Sequence, residues 1–183
     1  SAVLSNIKVP GHVKALSNRW LDHVQWDTPS SGYGIGAQYG YREPQDRPVA
    51  GACSAIGLVC RMYLGAKKED PGLQMGVKAI AKKGPSKNDL YYNYYAAMLM
   101  YQADGPDGSM WKIWNAKMRD HLVKSQVKDG KDKGSWHFRG PHGPSHGGRV
   151  YSTAMAAMTL EVYYRYMPIY QKGNVEKDDF PLE

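Results

Sequence analysis

The sequence predicts an all-α fold of three helical hairpins. Three observations predict it. Apolar residues recur at spacings of three and four in three segments and fill three others almost all round. Those segments alternate between apolar on one side and apolar all round. The alternation repeats with a period of about 50 residues.

The outer, one-sided helices are expected over 12–25, 72–83 and 110–126. In the first, Val13, Leu16, Trp20 and Val24 form the apolar stripe. In the second it is Leu73, Val77 and Ile80, and in the third Trp111, Trp114, Met118 and Leu122. Lys, Arg, Asp and His occupy the opposite faces, so one side of each meets water.

The inner helices are expected over 51–64, 90–101 and 150–167. The first carries one charge, Arg61, and the second none. The third carries Glu161 and Arg165, an i,i+4 pair that marks a narrow wet stripe. A helix apolar on every side has to be enclosed on every side.

Capping signals fit these bounds. Asp70 before Pro71 predicts an N-cap with proline at the first helical position. Ser86 with Asp89 three residues on predicts a capping box. Pro168 limits the last helix. The stretches 27–48 and 128–149 are rich in Gly, Pro and charge and read as long loops, a length that usually accompanies function. Residues 1–172 read as one domain, and 173–183 as a polar tail.

Composition bounds the rest. Apolar residues make up 42% of the 183, enough for a core, and charged residues 22%, which argues against global disorder. The 14 Tyr against 2 Phe predict a core that is partly polar or borders a cavity. The net charge of +7 is spread along the chain. Its densest stretch, 124–133, is diluted by Asp129 and Asp132 and carries no recognised nucleic-acid motif, so a solvated loop is expected and no nucleic-acid partner. Cys53 and Cys60 lie seven apart on one helix, with Cα atoms about 10 Å apart, too far for a disulfide. Reduced thiols leave the compartment open. No apolar run reaches the length that crosses a membrane. Because the chain starts at Ser1 rather than Met, it is expected to be a piece of a longer product, so a signal or anchor can lie ahead of it.

Internal echoes tie the hairpins together. Leu21 with Gln25 recurs, 101 residues on, as Leu122 with Gln126. Each glutamine is followed by a polar insert, then by Gly32-Tyr33-Gly34 or Gly134-Ser135-Trp136. Residues 51–58 align with 153–160 through their small side chains.

Leu-x3-Gln, an insert and Gly-x-Trp resemble the repeat motif of squalene and oxidosqualene cyclases, found more loosely in protein prenyltransferase β subunits. Leu122, Gln126, Gly134 and Trp136 carry the match. Leu21, Gln25 and Gly32 carry a second one, with Gly34 in the place of tryptophan and Tyr33 beside it. The chain also resembles a group of bacterial proteins, common in planctomycetes, that have such repeats. The resemblance implies an α/α toroid, of which three hairpins make part of a ring. It implies that the glutamine amide stacks on the tryptophan ring as a structural tie. An open ring exposes apolar repeat edges, so self-association or docking onto the rest of a longer parent protein is expected.

The family's chemistry is not carried over. No Asp-x-Asp-Asp acid motif stands in a plausible place: Asp178-Asp179 lies in the tail, and the stretch from Asp104 to Gly108 reads as a turn. No zinc triad surrounds Cys53 or Cys60, and no cofactor is expected. His137, His142 and His146 are close in sequence, but their spacing fits no ligand motif and no carboxylate falls among them, so no metal site is assigned. Arg139 and Arg149 with the loop amides suit an anion. The plain alternative is a Gly/Pro loop whose polar groups satisfy one another. Tyr91, Tyr92, Tyr94, Tyr95 and Tyr151 resemble the lining that shields carbocations in cyclases, while their helical spacing also suits core packing. The candidate ligand-binding residues are thus Tyr33, Trp136, Arg139, His142, His146, Arg149 and Tyr151, for an apolar or anionic small ligand.

Two functions are expected. One is a non-catalytic binding or assembly module of a larger protein. The other is an isoprenoid- or lipid-binding protein, or a cyclase- or prenyltransferase-like enzyme, whose site is completed by another segment or subunit.

Overall fold

The computed structural model describes residues 8–26, 36–48, 50–140 and 147–165, except the side chains of Tyr163 and Arg165. It is all-α among these residues. The helices are α1 (Gly11–Val24), α2 (Ala52–Tyr63), α3 (Pro71–Lys83), α4 (Leu90–Asp104), α5 (Ser109–Ser125), α6 (Gly148–Leu160) and α7 (Val162–Arg165). One isolated antiparallel bridge joins Gln25 to Tyr39. The chain divides into two compact units, Ser1–Gly76 and Val77–Glu183, with the division falling inside α3.

In the first unit α1 packs on α2. The core takes Leu21 and Val24 from α1, Ala55, Leu58, Val59 and Met62 from α2, and Leu73 from α3. Ala37 and Tyr39 enter it from the loop between the first two helices. Gly57 makes room for Tyr39: a Cβ there would lie 2.4 Å from the ring carbon Cγ. The expected stripe of α1 holds only at its C-terminal end. Val24 is buried, but Val13, Leu16 and Trp20 are exposed. Periodicity placed them on a shared face, and no described residue of this unit covers that face. Asp70 caps α3 as expected, its Oδ1 accepting the Leu73 N–H at 3.0 Å.

In the second unit α4 packs against α5, α6 and α7. It is the most enclosed helix, burying residues around its circumference, Leu90, Tyr92, Asn93 and Ala96 through Gln102. The stripe Trp111, Trp114, Met118 and Leu122 of α5 is buried in full, as are Val77 and Ile80 of α3. Asp89 itself caps α4, accepting the Tyr92 N–H at 2.9 Å. This corrects the expected capping box: the Ser86 hydroxyl stands one step back and accepts the Asp89 N–H at 3.0 Å. Asp104 accepts the Trp111 N–H at 2.9 Å, so this carboxylate serves the turn into α5.

The helix expected over 150–167 differs most from expectation. It breaks at Glu161, where the Tyr164 N–H bonds three residues back at 2.9 Å. The Thr159 hydroxyl donates to the Met155 carbonyl at 2.7 Å, a back-bond that bends helices. The helix is not enclosed all round within this unit either: Val150 and Tyr164 are exposed. Residues 166–167 of the expected helix and the 173–183 tail lie outside the described residues.

Two measurements check this packing. Gly57→Ala overpacks the Tyr39 ring and lowers stability by about 1–3 kcal/mol, read by denaturant unfolding. Tyr92 is buried and donates its hydroxyl to the Gly84 carbonyl at 3.0 Å. Burial, and then the nearby Asp89 carboxylate, push its phenol pKa well above 10.0. The neutral phenol therefore stabilises the fold at every pH below 10.0. That contribution is lost as pH rises from there towards the folded-state value. Tyr92→Phe flattens the alkaline limb of a stability–pH profile.

Candidate functional site

The same short motif of hydrogen bonds organises both units. Each glutamine ends its helix in extended conformation, Gln25 at φ −76° and ψ 149°, Gln126 at φ −64° and ψ 136°. The next residue donates across the loop: Trp26 N–H to the Gln38 carbonyl at 2.9 Å, Val127 N–H to the Ser135 carbonyl at 2.9 Å. The residue after that acceptor is aromatic. Tyr39 N–H donates to Ser54 Oγ at 3.1 Å, and Trp136 N–H to Thr153 Oγ1 at 3.1 Å. The hydroxyls return to the carbonyls of the same aromatic residues, at 3.5 Å and 3.3 Å. Tyr39 is thus the counterpart of Trp136, and Ser54 of Thr153. This corrects the small-residue alignment of the inner helices, which placed Gly51 on Thr153.

The side chains then diverge. In the second unit Trp136 Nε1–H donates to the Leu122 carbonyl at 2.8 Å, at the end of α5. Gln126 Nε2–H donates to the Gly134 carbonyl at 2.9 Å. Gly134 has φ +84°, a conformation that glycine adopts without strain. Arg149 is held within the same loop, by Ser135 Oγ at 3.0 Å and Asp132 at 3.2 Å. These contacts engage Leu122, Gln126, Gly134, Trp136 and Arg149 in holding the loop to its helices.

In the first unit the phenol of Tyr39 faces Arg61. Arg61 Nε–H donates to Tyr39 Oη at 3.2 Å, Nη1–H to Asn18 Oδ1 at 3.1 Å, and Nη2–H to Gln25 Oε1 at 3.3 Å and to Asp22 Oδ1. The Arg61 side chain is only 17% exposed. Burial opposes its charge, but the bonds to Tyr39 and Asp22 hold its pKa above the ordinary value. Burial likewise pushes the Tyr39 phenol up, partly offset by the guanidinium. These groups line a cleft of about 420 Å3, with Asp70 and the apolar Leu58, Leu64 and Leu73. Beside it, Leu16, Trp20, Leu21, Cys60, Tyr63 and Leu64 line an apolar groove of about 560 Å3. Leu16 is 59% exposed and Trp20 52%.

The expected ligand residues are dispersed. Tyr33, His142 and His146 lie outside the described residues, as does Gly32 of the motif. Trp136 and Arg149 meet around Ser135 in structural bonds. Arg139 and His137 are both exposed, on either side of half-buried Phe138. The Tyr151 hydroxyl is buried without a described partner, and burial, then Asp89, raise its pKa. Among the described residues no group of three His, Cys, Asp or Glu is placed to hold a metal. Cys53 and Cys60 are both free thiols. No described helix is long and apolar enough to cross a membrane.

The tyrosines of α4 split by role. Tyr92 and Tyr101 are core. Tyr91 and Tyr94 each meet Tyr95 edge to face, at 4.9 and 5.1 Å.

The residues that sequence reasoning missed are Asn18, Asp22, Tyr39 and Asp70 as lining of one cleft, with Arg61 at its centre. A signal existed for Arg61 alone: a single charge on an apolar helix needs buried partners. Comparison with protein-family models, with characterised proteins and with solved structures returns no match to this chain.

Replacing Arg61 tests the hub. Arg61→Met leaves the buried Tyr39 hydroxyl without its donor and lowers stability by about 1–3 kcal/mol. Arg61→Lys recovers little of it, because one ammonium cannot span four acceptors on different sides. Thermal unfolding of the two variants against wild type measures both effects.

Proposed function

We propose that the chain is a non-catalytic binding or assembly module whose three hairpins wind as a partial α/α toroid of the terpenoid-cyclase and prenyltransferase type. What carries this reading is the apolar groove of α1 and α2. Leu16, Trp20 and Tyr63 stand there as large apolar side chains open to water. Contiguous exposed apolar surface of this kind marks sites of association. The recurring loop motif supports the repeat architecture, since two units close their hairpins with equivalent bonds. The motif residues that resemble the family signature are engaged in structural hydrogen bonds, which favours a scaffold over a reaction centre.

The groove's occupant in this reading is another apolar protein face, from a second copy of the chain or from the rest of a parent protein. The second reading is an isoprenoid- or lipid-binding protein completed by another segment. The same groove favours it, because its lining is almost wholly apolar and a hydrocarbon chain fits such a channel.

Light scattering over a wide concentration range tests the first reading. Association is expected, and Trp20→Glu together with Leu16→Glu is expected to weaken it at least tenfold. A monomer at every concentration, with no partner face bound, sinks the self-association form. Native mass spectrometry after exposure to a lipid extract tests the second reading: a retained isoprenoid mass, lost in the same double variant, turns the conclusion to lipid binding.

A further inference from the structure

We infer that the cleft around Arg61 is a binding site for a neutral, polyhydroxylated small molecule of the saccharide class. The inference is independent of the docking groove, whose lining is apolar. It starts from valences. The guanidinium is fixed by Tyr39, Asn18, Gln25 and Asp22, which are drawn from α1, its C-cap and a loop. Each partner is therefore held in one orientation, and each keeps hydrogen-bonding capacity. Asn18 and Gln25 use their amide oxygens on Arg61, and their NH2 groups have no partner among the described residues. Asp22 gives one oxygen to Arg61, and Asp70 gives one to the Leu73 N–H. Each keeps a second oxygen free to accept. The Tyr39 oxygen accepts from Arg61, so its own O–H has a proton to donate.

The cleft thus offers donors and acceptors side by side, in a volume of about 420 Å3. That volume falls within the roughly 300–1,000 Å3 of small-molecule sites. The balance of groups decides the ligand class. An anion would face two carboxylates, Asp22 and Asp70. A compact cation would face the guanidinium, which is already committed to the wall. A hydrocarbon would strip water from six polar side chains and return no hydrogen bonds, at a cost for each. A hydroxyl group both donates and accepts, and carries no charge. Several hydroxyls on a small ring match the lining, and Leu58, Leu64 and Leu73 provide a short apolar wall for its C–H face.

The test is an amide-resolved NMR titration of the 15N-labelled chain with methyl glycosides of glucose, galactose and mannose. Spermidine and inorganic phosphate serve as charged probes. At least one glycoside is expected to shift the Gly36, Gly65 and Ala66 amides in a saturable way. Asp22→Asn keeps the oxygen that meets Arg61 and replaces the free acceptor with a donor. Asn18→Asp keeps the oxygen that meets Arg61 and removes the free NH2. Each is expected to weaken glycoside binding about tenfold while leaving the melting temperature near wild type. The inference is overturned if no glycoside moves those amides, or if spermidine or phosphate moves them instead. It is also overturned if binding survives in both variants, or if the glycoside moves only the indole of Trp20. Should a variant fold poorly, the wild-type shift map alone decides between these outcomes.

Discussion

The structure depends on one interaction made twice: a hydroxyl on α2 or α6 receives the backbone N–H of the aromatic residue that enters from the preceding loop. Ser54 does this for Tyr39, and Thr153 for Trp136. A loop residue buried against a helix brings an N–H and a carbonyl that need partners. The hydroxyl answers both, as donor and acceptor. With the backbone satisfied, the aromatic ring can be buried, and the ring fixes how the loop returns from α1 or α5. Buried Tyr39 and Trp136 then set the local cores of their units.

What each ring does beyond that point separates the two units. Tryptophan carries a donor at the edge of a wide ring and reaches the carbonyl at the end of α5. Tyrosine ends in an oxygen, which calls for a donor and meets Arg61. The arginine in turn gathers Asp22, Asn18 and Gln25. One motif is therefore closed and self-contained, while the other gathers polar groups around an open cleft. The glutamine follows suit: Gln126 gives its NH2 to the loop, while Gln25 gives its oxygen to Arg61.

Much of the helical framework was legible in the sequence. The stripe from Trp111 to Leu122 is buried as its spacing indicated, and Asp70 caps α3 as its proline neighbour indicated. The same spacing misled at Val13, Leu16 and Trp20, because periodicity says which residues share a face and not whether anything covers it. The inner-helix register also misled. Small residues made 51–58 resemble 153–160, whereas the geometry follows a single hydroxyl. Tyr39 was hidden because the first loop is longer than the last, so counting from the glycines led to Tyr33 and Gly34. Arg61 was visible as a lone charge, but its partners come from α1 and a loop, and nothing local in the sequence joins them. Of the candidate site, therefore, the hub was readable and the cleft was not.

The hydroxyl-to-loop bonds span short stretches of chain. Tyr39 and Ser54 are 15 residues apart, and Trp136 is 14 from Leu122 and 17 from Thr153. Closing a loop of that length costs little entropy and happens far faster than long-range pairing. Each anchor therefore forms among neighbours in sequence, and an emerging chain can complete its first anchor once α2 has left the ribosome, with the second still unmade. Topologies dominated by such local closures fold quickly. The hydroxyl of Ser54 thus bears on the order of assembly during synthesis as well as on the finished shape.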